Sequence, residues 1–469
     1  MIDFSISNEE YLNDLMELVR PFESRSNENI SLAVEYANFD GVFKVKITSD
    51  KFDGFVKNYV FKIETEGELE RKRVEKRYLK IAIYRTLSFL LNVNLPYGCL
   101  TGIRPTKLYC EIENEADRYL KSARDTFLND YSVSEGKVEL IEKIVEVQKP
   151  IRNKSSRQYD VFVFIPFCPT RCAYCSFVSL PIDKQKKLVA PYVDCLVREL
   201  EQTKQIIEKK RLKIRAVYVG GGTPTSIGAE LLDRVLEGCH FGAKEFTVEA
   251  GRPDTINEDI VRVLQKHGVT RVSVNPQTFN DKTLEIIGRK HKSADTYNAY
   301  MLVKDKFDVN MDLIACLPGE SIDDFKRSVD IAVALNPANV TVHTLYMKKG
   351  SALKQAGYDN TDFETASQMV DYAYQKLTSS GYEPYYMYRQ KYTSGNLENV
   401  GYAKPRKACI YNVDIMEEDT SIIANGANAI SKKWDKKRNL ITRCANYKEP
   451  IEYIKHIDEM LDRQKNFHI

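Results

Sequence analysis

Three cysteines in one short segment carry the clearest chemical signal in the sequence. Cys168, Cys172 and Cys175 have the spacing C-x3-C-x2-C and directly follow an apolar run. A tetrahedral zinc site would need a fourth cysteine or histidine nearby, and the segment offers neither. Ferredoxin clusters also use four thiolates. Three thiolates suit a [4Fe–4S] cluster with one iron open to a further ligand; the alternative is three structural or reactive thiols that share a loop by coincidence.

Polar residues that could hold such a ligand follow at intervals along the chain. A glycine-rich turn, Gly220–Thr225, comes after the next apolar run, and glycines let a ligand approach the backbone closely. Acidic, amide and basic side chains follow three later runs or lie within them: Glu249, Gln277, Arg289 and Asp312. Taken singly, each has an ordinary explanation, such as a solvated acid at the end of a strand. His343 is a weaker candidate, since a hydrogen-bonded core histidine is more common.

The elements that must position these residues form a regular series. From Tyr159 onward, short apolar runs alternate six times with helix-like segments; the runs are Val161–Ile165, Arg215–Val219, Glu245–Glu249, Thr270–Val274, Val309–Ile314 and Asn339–Thr344. This alternation predicts parallel strands joined by crossover helices. Six units are too few for an eight-stranded barrel, so we expect an α/β fold with a partial barrel or an open sheet. Barrel enzymes collect their functional groups at the carboxyl ends of the strands, where these polar residues would meet.

Two regions flank this series, and we expect three domains. Residues 1–155 form an N-terminal α+β domain, residues 156–345 the partial barrel, and residues 346–469 a C-terminal α+β domain that covers the substrate. The elements predicted in the first domain are three strands and one helix: Ser31–Tyr36, Val42–Ile47, Phe55–Ile63 and Leu69–Leu91.

The composition is that of a globular protein with nearly balanced charge. Among 469 residues, 69 Lys and Arg stand against 66 Asp and Glu, and the net charge of +3 leads us to expect no nucleic-acid and no membrane partner. The basic residues along Leu69–Leu91 are interpreted as a solvated helix face, with a nucleic-acid patch as the alternative. A membrane helix needs about 20 apolar residues, and the run Val161–Cys168 has only eight. Ten cysteines are too few for a disulfide scaffold, so we expect a cytoplasmic protein.

The cysteine loop strongly resembles that of the radical SAM enzymes. In that family the open iron binds the amino and carboxylate groups of S-adenosylmethionine (SAM), and one-electron reduction releases a 5′-deoxyadenosyl radical. The resemblance implies SAM as a cofactor beside a [4Fe–4S] cluster held by Cys168, Cys172 and Cys175. It also implies the SAM-binding residues, among which Glu249 and Arg289 are further assigned catalytic roles: Tyr174, Gly221, Gly222, Thr223, Glu249, Gln277, Arg289 and Asp312.

A narrower resemblance joins the sequence to the oxygen-independent coproporphyrinogen III oxidases, also called coproporphyrinogen dehydrogenases. It rests on Ile165–Cys168, Gly220–Thr225, Asp312–Gly319 and Asn399–Pro405, while Leu100–Lys107 resembles the HemZ-type branch in particular. The resemblance implies porphyrin and haem biosynthesis, in which two propionates of coproporphyrinogen III are oxidatively decarboxylated to the vinyl groups of protoporphyrinogen IX. It also implies a reductant such as flavodoxin or ferredoxin. Arginines would bind the carboxylates of this tetrapyrrole, and the candidates are Arg171, Arg252, Arg389 and Arg406.

Departures from related branches keep a second function open. The dehydrogenase branch has a tyrosine, a histidine and a cysteine where this sequence has Phe162, Phe164 and Phe177. The haem-chaperone branch matches Phe177 in type, but it has a histidine and a tryptophan where this sequence has Tyr411 and Met416. The alternative is therefore a haem-binding chaperone, or a haem-modifying radical SAM protein, without coproporphyrinogen turnover.

Overall fold

The computed structural model describes most of the chain. The described residues are 1–26, 28–65, 67–102, 104–114, 121–153, 155–175, 179–346, 351–358, 362–390, 393–436, 438 and 440–468. They fall into two compact units. The first comprises Met1–Glu142 with Arg389–Lys391 and Gly395–Leu397, and the second comprises Lys143–Tyr388 with Tyr392–Ser394 and Glu398–Ile469. The division of the chain into domains 1–155, 156–345 and 346–469 stays a prediction.

A four-stranded sheet organises the first unit. Its strands lie in the order β1 (Ile2–Ile6), β2 (Ile30–Phe39), β3 (Val42–Ser49) and β4 (Phe55–Lys62). β1 is parallel to β2, and the other pairs are antiparallel. The three predicted strands are confirmed, and β1 is an addition to them. The longer helices are Leu12–Glu23, Glu68–Leu91 and Pro105–Asn114, while Glu135–Gln148 continues into the second unit.

The helix Glu68–Leu91 confirms the predicted helical spacing. Leu79, Ile83 and Leu87 recur every four residues on one face, and all three are fully buried. On another face, Lys72 pairs with Glu10 at 2.8 Å and Lys76 with Asp14 at 2.9 Å. Part of the basic face is therefore paired with acids of the preceding segment.

A larger sheet forms the second unit, and the six predicted strands are six neighbours within it. They are β5 (Gln158–Ile165), β8 (Lys213–Gly221), β9 (Glu245–Val248), β10 (Arg271–Ser273), β11 (Asp308–Ala315) and β12 (Asn339–Thr344). Two short strands, β6 (Phe167–Cys168) and β7 (Leu180–Pro181), pair separately. Every neighbouring pair from β5 to β12 is parallel, so the carboxyl ends of these strands meet at one edge of the sheet.

Alternation along the strands separates a helix-facing core from the barrel interior. In β5, Val161, Val163 and Ile165 pack in the core beneath the helices, whereas Phe162 and Phe164 belong to an interior cluster with Tyr385 and Tyr411. The helices that follow these strands are Ile182–Lys210, Ala229–Glu237, Glu258–Lys266, Asp281–Ile286, Ser293–Val303 and Ile322–Leu335. Strand and helix alternate as predicted.

The C-terminal residues extend the same sheet at both sides. β14 (Glu398–Ala403) is antiparallel to β12, with β13 (Glu383–Arg389) beyond it, and β15 (Ser421–Asn425) is parallel to β5. β16 (Ile430–Asp435) and β17 (Leu440–Ala445) then follow, so the sheet is open between β13 and β17. The remaining helices are Ala352–Gln355, Phe363–Ser379, Ile410–Glu417, Pro450–Lys455 and Ile457–His468. In the described part of the chain, every helix is too short or too polar to cross a membrane.

A buried ion pair ties this sheet to the helix Ile410–Glu417. The Arg215 guanidinium donates to both carboxylate oxygens of Asp414, at 2.7 and 3.1 Å, and the Asp414 side chain is fully buried. Asp414→Ala should destabilise the protein by about 3 kcal/mol, because it leaves the mostly buried Arg215 guanidinium without the carboxylate to which it donates two hydrogen bonds. The thermal unfolding midpoint of the cluster-loaded protein measures this loss.

The matched control is Asp194→Ala, which breaks the exposed Arg234–Asp194 pair. It should cost less than about 1 kcal/mol, since water screens exposed pairs. Equal shifts in the midpoint for both variants would contradict the structural role of Asp414.

Candidate functional site

The cysteine segment leaves the sheet at the carboxyl end of β5. β6 ends at Cys168 and pairs with β7, which ties the two ends of the segment together. Within it, the Cys175 N–H donates to the Cys172 carbonyl at 3.1 Å. All three thiols are partly buried and lie close enough together to interact electrostatically. We call Cys168–Cys175 the cysteine loop.

The cysteine loop is fastened to the residues that follow the helix Asp281–Ile286. The Ala173 N–H donates to the Ile287 carbonyl at 3.0 Å, and the Thr170 hydroxyl donates to the Gly288 carbonyl at 3.2 Å. The next residue, Arg289, donates from Nη2 to the Tyr174 hydroxyl at 3.3 Å. Although burial opposes the charge of Arg289, Tyr174 and the cysteine loop raise its pKa above the usual value. Two predicted cofactor-binding residues therefore meet here, and Arg289 stays cationic.

The glycine turn packs directly on the cysteine loop. The Gly222 N–H donates to the Ile165 carbonyl at 2.8 Å, and the Thr223 N–H donates to the Phe167 carbonyl at 2.7 Å. The Thr223 hydroxyl lies 3.5 Å from the Cys168 sulfur. A Cβ on Gly222 would lie 2.5 Å from the Phe167 carbonyl oxygen, so a side chain there would push the loop away.

Glu249 follows β9 and faces this turn. It accepts hydrogen bonds from the Gly221 N–H at 3.2 Å and from the Tyr218 hydroxyl at 2.5 Å. Burial raises the pKa of Glu249 to about 7; the Tyr218 hydrogen bond opposes this shift, and the charge of Asp312 adds to it. Glu249 therefore titrates near neutral pH.

Asp312, in β11, is held as a carboxylate. Its two oxygens accept hydrogen bonds from the side-chain amides of Asn275 at 2.7 Å and Asn310 at 2.8 Å. His343 Nε2 lies 3.7 Å from the nearer oxygen. Although burial opposes its charge, His343 and Asn310 hold the pKa of Asp312 below the usual value. The two carboxyl groups of the site therefore differ in protonation at neutral pH.

Gln277 and Arg289 present buried polar atoms that have no hydrogen-bond partner in the described part of the chain. These atoms are the Gln277 Oε1 and the Arg289 Nε. The Gln277 backbone is in the left-handed region, with φ of +66°, and its N–H donates to the Asp312 carbonyl at 2.9 Å. An unpaired buried polar atom costs about 1–3 kcal/mol, so these atoms indicate a polar ligand.

These residues fit the cluster and the SAM that the resemblance implies. Three neighbouring thiols leave one iron of a [4Fe–4S] cluster without a protein ligand. The Glu249 and Asp312 carboxylates can accept hydrogen bonds from hydroxyl and ammonium groups, and Arg289 can pair with a carboxylate. The individual roles of these residues, like those of Tyr174 and Gly221–Thr223, stay predictions.

The four arginine candidates have different surroundings. Arg171 and Arg252 are at the cysteine loop, where Arg252 Nη1 donates to the Thr170 hydroxyl at 2.9 Å. Arg389 belongs to the first unit, and its guanidinium lies 4.0 Å from the ring centre of Tyr97. Arg406 lines a cavity of about 1100 Å³ at the amino ends of the strands, opposite the cysteine loop. Arg406 is therefore not at the predicted site.

Aromatic rings fill the barrel interior beside these polar groups. Phe162 stacks on Tyr411 and Tyr218, with ring centres 6.0 and 6.3 Å apart. Tyr218 and Tyr411 stack on each other at 4.4 Å. Phe177 lies outside the described residues.

Several polar partners of the site have no distinct signal in the sequence. Tyr218 lies inside an apolar run, and its only signal is that it shares a strand face with Gly220. The two asparagines beside Asp312 have no spacing that marks them. His343 Nδ1 lies 3.0 Å from the Tyr388 hydroxyl, which connects the weak histidine candidate to Asp312 and to β13.

Cys175→Ala should abolish both the cluster and SAM cleavage, because two thiolates do not replace the three ligands of the loop. Iron content and 5′-deoxyadenosine formation under reducing conditions measure the effect. Cys195→Ala is the control, since Cys195 lies in the helix-facing core. Wild-type iron content and SAM cleavage in Cys175→Ala would contradict the assignment of the cysteine loop.

SAM affinity should depend on pH through Glu249. Because its pKa is about 7, Glu249 is mostly ionised at pH 8 and mostly protonated at pH 6. If the carboxylate accepts hydrogen bonds from SAM, the Kd should rise by up to about tenfold for each pH unit below 7. Equilibrium binding to the oxidised, cluster-loaded protein measures this dependence. Glu249→Gln should remove it, whereas an identical pH dependence in that variant would show that another group is responsible.

The chain is similar to known proteins over most of its length. The model of the Radical SAM superfamily matches residues 162–332, which include the cysteine loop and β8 to β11. The chain is 36% identical over 410 residues to the oxygen-independent coproporphyrinogen-III oxidase-like protein HemZ of Bacillus subtilis, covering 85% of this chain and 82% of that protein. It is also 31% identical over 197 residues to the haem chaperone HemW of Bacillus subtilis, covering 40% of this chain and 51% of that protein.

A solved structure shows the same fold. Coproporphyrinogen III oxidase (HemN) from Escherichia coli aligns with a TM-score of 0.52 and 20% identity, over 68% of this chain and 73% of that one. This likeness confirms the predicted α/β fold with a partial barrel. Radical SAM proteins use a [4Fe–4S] cluster and SAM, which are therefore the cofactors of this chain. The chain belongs to the radical SAM superfamily, in the family of the oxygen-independent coproporphyrinogen-III oxidase-like protein HemZ.

Proposed function

We propose that this chain catalyses the oxygen-independent oxidative decarboxylation of two propionates of coproporphyrinogen III to vinyl groups, which gives protoporphyrinogen IX in haem biosynthesis. The observation that carries the proposal is the site itself. The cysteine loop meets Glu249, Gln277, Arg289 and Asp312 at one end of a barrel, in a chain that is 36% identical to a coproporphyrinogen-III oxidase-like relative.

Each conversion has a fixed balance of atoms and electrons. A hydrogen atom leaves the propionate carbon next to the ring, and the bond to the carboxylate then breaks with loss of carbon dioxide and one electron. When bound, the reduced cluster and SAM supply the 5′-deoxyadenosyl radical that takes the hydrogen atom. The proposal therefore includes a one-electron donor such as flavodoxin or ferredoxin, and a separate acceptor for the electron released.

The residues of this chain would bind, orient and shield the reactants. Arg289 is a permanent cation that can hold the SAM carboxylate, and Asp312 is a carboxylate that can hold a cationic or hydroxyl group. Arg171, in the cysteine loop, can donate to the propionates of the substrate, whereas the buried Arg252 guanidinium already donates to Asp254 and Thr170. The stacked rings of Phe162, Tyr218 and Tyr411 exclude water from the interior, which protects a radical. Residues 346–469 would cover the substrate.

The thiols favour action in the cytoplasm. All ten cysteines lie in the described part of the chain, and they are thiols rather than disulfides. Thiols persist in reducing compartments, where an oxygen-sensitive cluster is also protected. We therefore include a cytoplasmic location in the proposal.

A haem-binding or haem-modifying role is the second candidate. It is favoured by the similarity to the haem chaperone HemW and by the aromatic interior, in which Phe162 and Phe164 stand at positions that are polar in the dehydrogenase branch. Flat aromatic rings can stack on a tetrapyrrole without transforming it.

Anaerobic turnover tests the proposed reaction. The cluster-loaded protein is reduced and given SAM and coproporphyrinogen III, and 5′-deoxyadenosine and vinyl porphyrins are quantified together. The proposal predicts one 5′-deoxyadenosine for each vinyl group formed, and neither product with Cys175→Ala. SAM cleavage with intact propionates would contradict the substrate and leave the radical chemistry in place.

Haem titration separates the second candidate from the first. The proposed reaction predicts no saturable change in haem absorbance at one haem per chain, because the substrate is the metal-free, reduced tetrapyrrole. A saturable change at that ratio, together with no vinyl product in the turnover assay, would favour haem binding as the function.

A further inference from the structure

Two histidines and a glutamate meet at the ends of adjacent helices on the outside of the barrel. Glu237 is the last residue of the helix Ala229–Glu237, His240 follows three residues later, and His267 follows the helix Glu258–Lys266. His240 Nε2 lies 3.0 Å from His267 Nδ1, and Glu237 Oε2 lies 3.8 Å from the same Nδ1. One ligand atom from each of the three residues lies within 4.8 Å of the others.

The hydrogen bonds of His267 fix which of its nitrogens carries a lone pair. His267 is 3% exposed, and its Nε2 lies 2.8 Å from Asp233 Oδ1. Lys266 Nζ donates to both oxygens of Asp233, at 2.7 and 2.9 Å, so this carboxylate is the acceptor in the group. Nε2 must therefore donate its proton to Asp233. In neutral His267, the Nδ1 lone pair then points toward His240 and Glu237.

We propose that Glu237, His240 and His267 bind a divalent transition-metal ion, with Zn²⁺ as the best fit, and that water completes the coordination. Zinc–nitrogen bonds of about 2.0–2.1 Å at tetrahedral angles separate two ligand atoms by about 3.3 Å. The observed separations of 3.0 and 3.8 Å bracket that value. Two imidazoles and one carboxylate are ligands that zinc accepts readily.

Asp233 accepts a hydrogen bond from the ring nitrogen of His267 that would not bind the ion, as carboxylates commonly do beside zinc-bound histidines. A carboxylate that accepts the second N–H of a ligating histidine fixes its ring orientation and raises its basicity. Both helices also end at this cluster, and the carboxyl ends of helices carry partial negative charge that favours a cation. The neighbouring cation Lys266 is paired with Asp233 at 2.7 Å.

The neighbouring Cys239 does not belong to the group. It is 1% exposed, its sulfur donates to the Val235 carbonyl at 3.2 Å, and it packs in the helix-facing core. The proposed ligands are therefore oxygen and nitrogen atoms alone. This set suits zinc better than an iron–sulfur cluster, which uses thiolates.

The proposed site lies away from the cysteine loop and goes beyond the proposed function. His240 and His267 precede β9 and β10, so they lie near the amino ends of these strands, whereas the cysteine loop lies at the carboxyl ends. A bound ion would join the ends of two helices that flank consecutive strands. We therefore expect it to stabilise the barrel, and to have no part in SAM cleavage.

Zinc titration of the cluster-loaded protein tests the proposal, because the loaded loop cannot offer its thiols to zinc. Calorimetry with Zn²⁺ should give one site per chain in the wild type, and Zn²⁺ should raise its thermal unfolding midpoint. His240 is exposed, so His240→Ala should fold normally and bind zinc at least about tenfold more weakly. His456→Ala is the matched control, since His456 is a partly exposed histidine that lies beside Glu452 and Glu459.

A second variant tests the contribution of the hydrogen bond between His267 and Asp233. Asp233→Asn keeps the shape of the side chain and removes its charge, so zinc affinity should fall about 10- to 100-fold while the histidines remain. Replacing Zn²⁺ with Co²⁺ should give the visible absorption of a four-coordinate ion in the wild type and not in His240→Ala. The absence of a zinc site in the wild type, or equal affinity in the wild type and His240→Ala, would overturn the proposal.

Discussion

The close contact between the glycine turn and the cysteine loop is the constraint on which the site depends. The turn donates two backbone hydrogen bonds to Ile165 and Phe167, on either side of the bend that leads into the loop. These bonds require Gly222, because a Cβ there would lie 2.5 Å from a carbonyl oxygen. The same turn donates to Glu249, so one short segment sets the distance between the thiols and the first acidic group.

The parallel sheet brings the remaining residues of the site to one edge. Glu249, Gln277 and Asp312 come from three successive strands, and they converge because the carboxyl ends of parallel strands share an edge. The different environments of Glu249 and Asp312 give the two carboxyl groups different pKa values. Burial leaves Glu249 titrating near neutral pH, whereas the asparagines and His343 keep Asp312 ionised. A carboxyl group that titrates near neutral pH and one that stays ionised can thus serve different parts of one polar cofactor.

Strand positions and the polar groups at strand ends could be predicted from the sequence, because the apolar runs and the turn residues between them are local signals. The six strands and the convergence of Glu249, Arg289 and Asp312 on one edge of the sheet follow from that pattern. The pairing of β15 with β5 could not be predicted, because nothing local links segments so far apart in the chain. Tyr218 and Asn275 were missed for a related reason, since their contacts are made between strands. The His240–His267 pair likewise forms only once two helices pack side by side.

The central claim is that three cysteines hold a cluster whose open iron takes SAM. Electron–nuclear double resonance on the reduced, cluster-loaded protein tests it most directly, with SAM isotopically labelled in the methionyl carboxylate and amino groups. The account predicts hyperfine coupling between the cluster and both labels, and no such coupling when SAM is left out. Absence of coupling at saturating SAM would contradict it, because SAM would then be bound away from the iron.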